Sequence, residues 1–229
     1  MASVASHGVI VSIIMRVTVK PSPRPAGLRQ RNKVAAMRHV QLTALGLFEA
    51  HGFDAVTIEE VAEATLVSAP TIYRHFGTKE GLVFWDEYDP VILRMLGERL
   101  RKDALGDAIR EAIVRPLDRI YAAEASRILR RVRLVEKYTS LRAAAAAGMR
   151  ELRSQMARTF VASGACRDPL EADVIAGATT TALEVAVEYW AQAGGRRPLA
   201  RFIERSLRLL RRFAETTGTP RQRIRKSRR

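Results

Sequence analysis

Residues 57–79 read TIEEVAEATLVSAPTIYRHFGTK, and this stretch decides the fold. Thr57 and Glu60 have the spacing of a capping box, in which a hydroxyl and a carboxylate each satisfy a free N–H at a helix start. Ile58, Val61 and Ala62 then share one helical face at i, i+3 and i+4. The pattern stops near Thr65. Ser68 is typed to cap a second helix, and Pro70 is tolerated inside its first turn. On that helix Ile72 and Phe76 share an inward face, while Pro70, Thr71, Tyr73 and Arg74 point the other way. Two short helices joined by a tight turn, the second showing hydroxyl, phenol and guanidinium groups outward, make a DNA-binding helix-turn-helix.

The rest of the chain agrees with an all-α fold. Its 229 residues suffice for one large or two modest domains, only 6% are aromatic, and β-branched residues form no runs bounded by turn signals. The single cysteine, Cys166, excludes an internal disulfide and a cysteine-based zinc site, as expected in a reducing cytoplasm. Most of the formal charge of +15 lies at the two ends. No acidic residue precedes Glu49, whereas Arg16, Lys20, Arg24, Arg29, Arg31, Lys33 and Arg38 do, and six more Lys or Arg follow Gly218. Such tails are either solvated or add phosphate contacts beside a DNA-binding unit. The apolar run VIVSIIM at 9–15 has no basic residue before it and is far shorter than the ~20 residues of a membrane span. Residues 1–27 are therefore expected to be a disordered basic tail, or in part the product of an upstream start codon, and 218–229 a second basic tail.

Helix 1 is expected at 31–51, with Val40, Ala44, Leu47 and Phe48 inward and Gly52 closing it. Phe53 and Val56 cover the helix-turn-helix core. Thr78 caps a fourth helix to about residue 101, which Pro90 either interrupts or kinks. Further helices follow at about 105–122, 123–138, 140–163, 169–192 and 198–216, for about nine in all. Asp168-Pro169-x-Glu171 marks one start sharply.

LF-x-x-x-GF-x-x-x-T (residues 47–57) and T-I-Y-R-H-F-x-T-K-x-x-L (residues 71–82) resemble the N-terminal domain of the TetR family of transcriptional regulators over residues 40–83. The C-terminal half, with LRRVRLVEKYTSLRA at 129–143, is loosely similar to a subgroup that includes the mycofactocin-system regulator. One departure stands out. The family usually has Gly two residues before Ser68, where this chain has Leu66. A left-handed leucine there would cost roughly 1 kcal/mol.

The resemblance implies a helix-turn-helix domain at 28–83 and an effector-binding and dimerisation domain at 84–217. Thr57, Tyr73 and Lys79 are then expected on phosphates. Behind the Ser68 cap, Ala69, Pro70 and Thr71 face base edges, with Arg74 and His75 at the margin on bases or phosphates. Helix 169–192 is apolar on more than one side, and helix 198–216 carries one apolar stripe. Val174, Ala178, Thr181, Val185 and Tyr189 on the first, with Phe202 and Leu210 on the second, are expected to form a two-fold homodimer interface, the alternative being that both helices simply complete a monomeric core. Two recognition helices ~34–36 Å apart then reach successive major grooves of a palindromic double-stranded operator.

An effector pocket, as in proteins of this family, would be lined by Trp85, Tyr88, Met95, Tyr121, Tyr138, Met149, Met156 and Phe160. The same residues also read as plain core. The pocket's natural ligand is apolar or amphipathic. Arg127, Arg130, Arg131 and Arg133 are either a partner for an anionic head group or a solvated face.

Cys166 is a redox sensor whose pKa Arg167 lowers, or an inert loop thiol. Against an enzyme, no H-x-x-H, G-x-S-x-G, P-loop or G-x-G-x-x-G occurs, and no cofactor or metal is implied. Asp86, Glu87 and Asp89 read as a polar helix face. The expected function is a cytoplasmic, ligand-released repressor that joins the nucleoid on its operator. The competing readings are a non-specific basic nucleic-acid-binding protein and an activator on the same fold.

Overall fold

The computed structural model describes residues 28–85, 89–120 and 124–217. The apolar run at 9–15, both basic tails, Asp86, Glu87, Tyr88 and Tyr121 lie outside the described residues. The described residues hold ten α-helices and no strand: α1 (Leu28–His51), α2 (Ile58–Thr65), α3 (Ala69–Phe76), α4 (Lys79–Phe84), α5 (Asp89–Arg99), α6 (Leu105–Ile120), α7 (Ala125–Lys137), α8 (Thr139–Ala162), α9 (Pro169–Gln192) and α10 (Leu199–Thr217). Nine were expected. The extra one comes from Pro90, which sits in the first turn of α5, where its missing N–H costs nothing. What looked like one helix is therefore two.

Local chemistry explains most of the boundaries. Thr57 and Glu60 form the capping box of α2: the Thr57 N–H donates to Glu60 Oε2 (2.7 Å) and the Glu60 N–H to Thr57 Oγ1 (3.2 Å). Asp168 accepts from the Glu171 N–H (2.9 Å) at the start of α9, with Pro169 in the first turn. Gly52, with φ of 93°, closes α1.

Helices α1 to α4 enclose one small core. Val40, Ala44 and Phe48 of α1 meet Phe53, Val56, Ile58, Val61, Ile72 and Phe76, all buried. Phe48 and Phe53 pack edge to face with centroids 5.0 Å apart. Gly81 is a spacing requirement: any Cβ there would overlap the Phe76 carbonyl oxygen, so only glycine lets α4 lie against the end of α3.

In the second half α9 packs between α8 and α10, and Ser206 Oγ of α10 donates to the Ala182 carbonyl (2.6 Å). Trp190 is buried, and its indole donates to the Arg197 carbonyl (2.8 Å). Where α9 and α10 do not meet the rest, apolar side chains stay open: Leu170, Val174 and Tyr189 on α9, Leu209 and Phe213 on α10.

Leu66 takes the left-handed conformation (φ 56°, ψ 27°) with its side chain 95% exposed. It holds the α2–α3 turn under strain and packs on nothing that would offset it. Leu66→Gly should therefore raise stability by a few tenths of a kcal/mol, the relieved strain of about 1 kcal/mol less the added freedom of the unfolded chain. A urea unfolding midpoint that does not rise would contradict this.

Candidate nucleic-acid interface

The recognition face is built on α3. Ile72 and Phe76 anchor it inward, and Pro70, Tyr73 and Arg74 are exposed. Ser68 is the N-cap by position, but its hydroxyl makes no cap bond. It donates instead to Thr71 Oγ1 (2.9 Å), which also accepts from Arg74 Nη2 (3.3 Å). Ser68, Thr71 and Arg74 thus form a hydrogen-bonded ladder along one face, beside the Tyr73 phenol. Ala69 and His75 flank it, half-buried.

The ends of neighbouring helices converge here. Thr57 Oγ1 donates to Glu60 Oε2 (3.0 Å), and these bonds from Thr57 hold the Glu60 carboxyl below its usual range. Lys79 has a different task from the phosphate contact expected of it. Its ammonium donates to the carbonyls of Phe53 (2.8 Å), Val56 (3.0 Å) and Asp54 (3.4 Å) and lies 4.5 Å from the centroid of the Phe53 ring. It closes the α1–α2 loop, and reaching a phosphate would require leaving three carbonyls.

The sequence did not reveal Lys33. This α1 residue stands near enough to His75 to help hold the imidazole below its ordinary pKa, together with burial, the larger cause, and Arg74. Its only sequence signal was membership of a basic run.

Between this unit and the rest lies a polar seam on α7. Arg131, with no exposed surface, donates from Nε to the Val83 carbonyl (2.7 Å) and from Nη2 to the Phe84 carbonyl (3.1 Å). Gln41 of α1 is equally buried. Its Nε2 donates to the carbonyls of Leu82 (2.9 Å) and Trp85 (2.8 Å), and its Oε1 accepts from Arg127 Nη1 (3.1 Å). Glu124 pairs with both Arg127 (2.9 Å) and Arg38, and Arg130 grips Glu49 with two bonds of 2.7 Å. Arg127, Arg130 and Arg131 thus fit neither of the expected roles. Only Arg133 is a plainly solvated one.

The residues expected around an effector are dispersed. Met149, Met156 and Phe160 are packed core, Trp85 meets Phe76 (5.8 Å), and the Tyr138 ring packs on Phe53 (5.6 Å). Met95 is half-buried. A half-open cavity of ≈ 650 Å³ lies elsewhere, between the start of α6 and the helices α9 and α10. Leu105, Ile109, Ile175 and Leu207 help form its walls, with Arg208 and Arg211 at the charged part. Of the residues expected at a dimer interface, Val174, Ala178 and Leu210 also line it. Thr181 and Tyr189 are exposed, and Val185 and Phe202 are half-buried.

Cys166 sits in an environment that disfavours the redox-sensor alternative. Burial, then the carboxylates of Glu171 and Asp168, push its thiol up despite Arg167, so its thiolate is disfavoured. Among the described residues no group of three His, Cys, Asp or Glu is placed to hold a metal, and no helix is long and apolar enough to cross a membrane.

His75 yields a pH signature. Its depressed folded pKa means that its stability contribution is full above the unfolded value, about 6.5, and lost as pH falls through the folded one. Between pH 7.5 and 5.5 the parent should therefore lose stability relative to His75→Gln. Parallel urea midpoints for the two proteins would contradict it.

Comparison with known proteins matches both halves. Residues 42–84 fit the family model "Bacterial regulatory proteins, tetR family", and residues 103–214 fit that of the "MftR C-terminal domain". The chain is 28% identical over 152 residues to the HTH-type transcriptional regulator TcmR of Streptomyces glaucescens, covering 63% of this chain and 67% of that one. In fold it is similar to SmeT, the repressor of a Stenotrophomonas maltophilia multidrug efflux pump, solved with triclosan (TM-score 0.54, 15% identity, 77% of this chain and 90% of that one). It is also similar to the fatty acid degradation regulator FadR of Bacillus halodurans (TM-score 0.51, 14% identity, 76% and 96%).

Proposed function

The chain belongs to the TetR family of bacterial regulatory proteins, and on that premise we propose that it is a homodimeric repressor released from a palindromic operator by a small apolar or amphipathic ligand. The observation that carries this reading is the α3 face. A ladder of Ser68, Thr71 and Arg74 with Tyr73 beside it is held outward by a buried Ile72–Phe76 anchor and a glycine-tight contact with α4. Such a face suits the major groove, where hydroxyls and guanidinium meet base edges and phosphates.

Residues 28–83 act as the DNA-binding unit and 84–217 as the ligand-binding and dimerisation unit. Thr57 and Tyr73 contact phosphates, and Lys79 joins them if it leaves the loop carbonyls. Ala69, Pro70 and Thr71 face base edges, with Arg74 and His75 at their margin. The open apolar surface of α9 and α10, which includes Val174 and Tyr189, is covered by a second copy. The α6–α9–α10 cavity has a volume typical of drug-sized ligands and mostly apolar walls, which supports the ligand class. The protein works in the cytoplasm, on the nucleoid when bound, and performs no catalysis.

Two experiments test this. Tyr73→Ala should weaken operator protection and flatten the log–log salt dependence by about one unit, the loss of one phosphate contact. Unchanged footprinting would argue strongly against the assignment. Deleting residues 1–27 and 218–229 should leave sequence-specific binding in place. Its disappearance would favour the non-specific, tail-driven reading.

A further inference from the structure

Helix α4 is six residues long and ends in the interior, where an unpaired carbonyl has no water to turn to. Its carbonyls are met by two side chains from opposite sides. Gln41 of α1 takes those of Leu82 and Trp85, and Arg131 of α7 takes those of Val83 and Phe84. The guanidinium also sits at the negative end of the helix, where a cation is favoured. The clamp is backed by Arg127 on Gln41 and by Glu124 on Arg127. At its other end α4 is held by Lys79 on the loop carbonyls and by the fit of Gly81 against Phe76. Helix α4 is therefore fastened to the helix-turn-helix, and the clamp is where that unit meets α7 of the second domain.

We propose that Arg131 and Gln41 are positioning residues for operator recognition: by terminating α4 they fix the angle at which each DNA-binding unit leaves the second domain, and with it the half-site spacing that the dimer accepts. The inference rests on the reading that two copies bind a two-fold operator. Hydrogen bonds between buried groups are short-ranged, so a shift of an ångström between α7 and α4 breaks them outright. A clamp of this kind has a held state and a released state, with no graded range between. The planar fork of Arg131 aims two N–H groups in fixed directions at two carbonyls, a geometry that the freely rotating ammonium of a lysine does not hold.

The test is spacing discrimination by the full-length protein. The probe is the inverted repeat that the parent selects from a random DNA pool, rebuilt with one or two base pairs inserted between the half-sites. Each insertion turns the second half-site by about 35° and moves it by about 3.4 Å, so the parent should lose on the order of tenfold in affinity or more. Arg131→Met and Gln41→Met, checked for dimer mass and a cooperative melt, should bind all spacings within about threefold of one another. Arg131→Lys should fall between, and it carries the test with Gln41→Met if Arg131→Met does not fold. Glu49→Gln, which breaks only the exposed pair with Arg130, should keep the parent's discrimination. Folded dimeric variants that discriminate as the parent does, or that weaken by one common factor at every spacing, overturn the proposal. A parent that selects no inverted repeat overturns the two-fold reading itself, and this inference with it.

Discussion

The constraint on which the rest depends is the termination of a short helix inside the protein. A helix leaves its last carbonyls without intrahelical partners, and α4 ends where solvent does not reach. Gln41 and Arg131 answer that requirement, and in doing so they draw α1, α4 and α7 to one point. The cost of burying a guanidinium is large unless every contact is well made. Here the cation lies on carbonyls at the negative end of a helix, and the same bonds tie the DNA-binding unit to its support.

Much of this architecture was legible because it rests on neighbours in sequence. Capping pairs three residues apart, apolar residues at helical spacing and glycines at helix ends placed most helices within a few residues. Leu66 was legible too: a non-glycine where a left-handed turn was due. The α7 arginines were not. In sequence they form a charge run, and nothing nearby shows that Arg131 meets carbonyls 47 and 48 residues earlier while Arg130 meets Glu49 81 residues earlier. The bonds of Lys79 were hidden for the same reason. Its position suggested a phosphate, yet its partners lie in a loop 23 to 26 residues back.

The site readings divide along that line. The outward face of α3 follows from helical geometry and two buried anchors, so its residues could be named from spacing alone. The cavity between α6, α9 and α10 depends on how those helices pack, and aromatic or methionine side chains at helical spacing are as serviceable in a core as around a ligand. Met149, Met156 and Phe160 went to the core, while the cavity walls are ordinary leucines and isoleucines that carry no distinguishing mark in sequence.

Under the proposed homodimer, the open apolar strip on α9 and α10 would tie the protein's integrity to its abundance. Once two copies share that strip, folding and assembly form one equilibrium, and the unfolding midpoint rises with protomer concentration. At the low copy number at which a regulator works, dilution itself becomes a force acting on the molecule. DNA, by bringing two copies to adjacent grooves, would then oppose dilution and stabilise the fold of the protein that reads it.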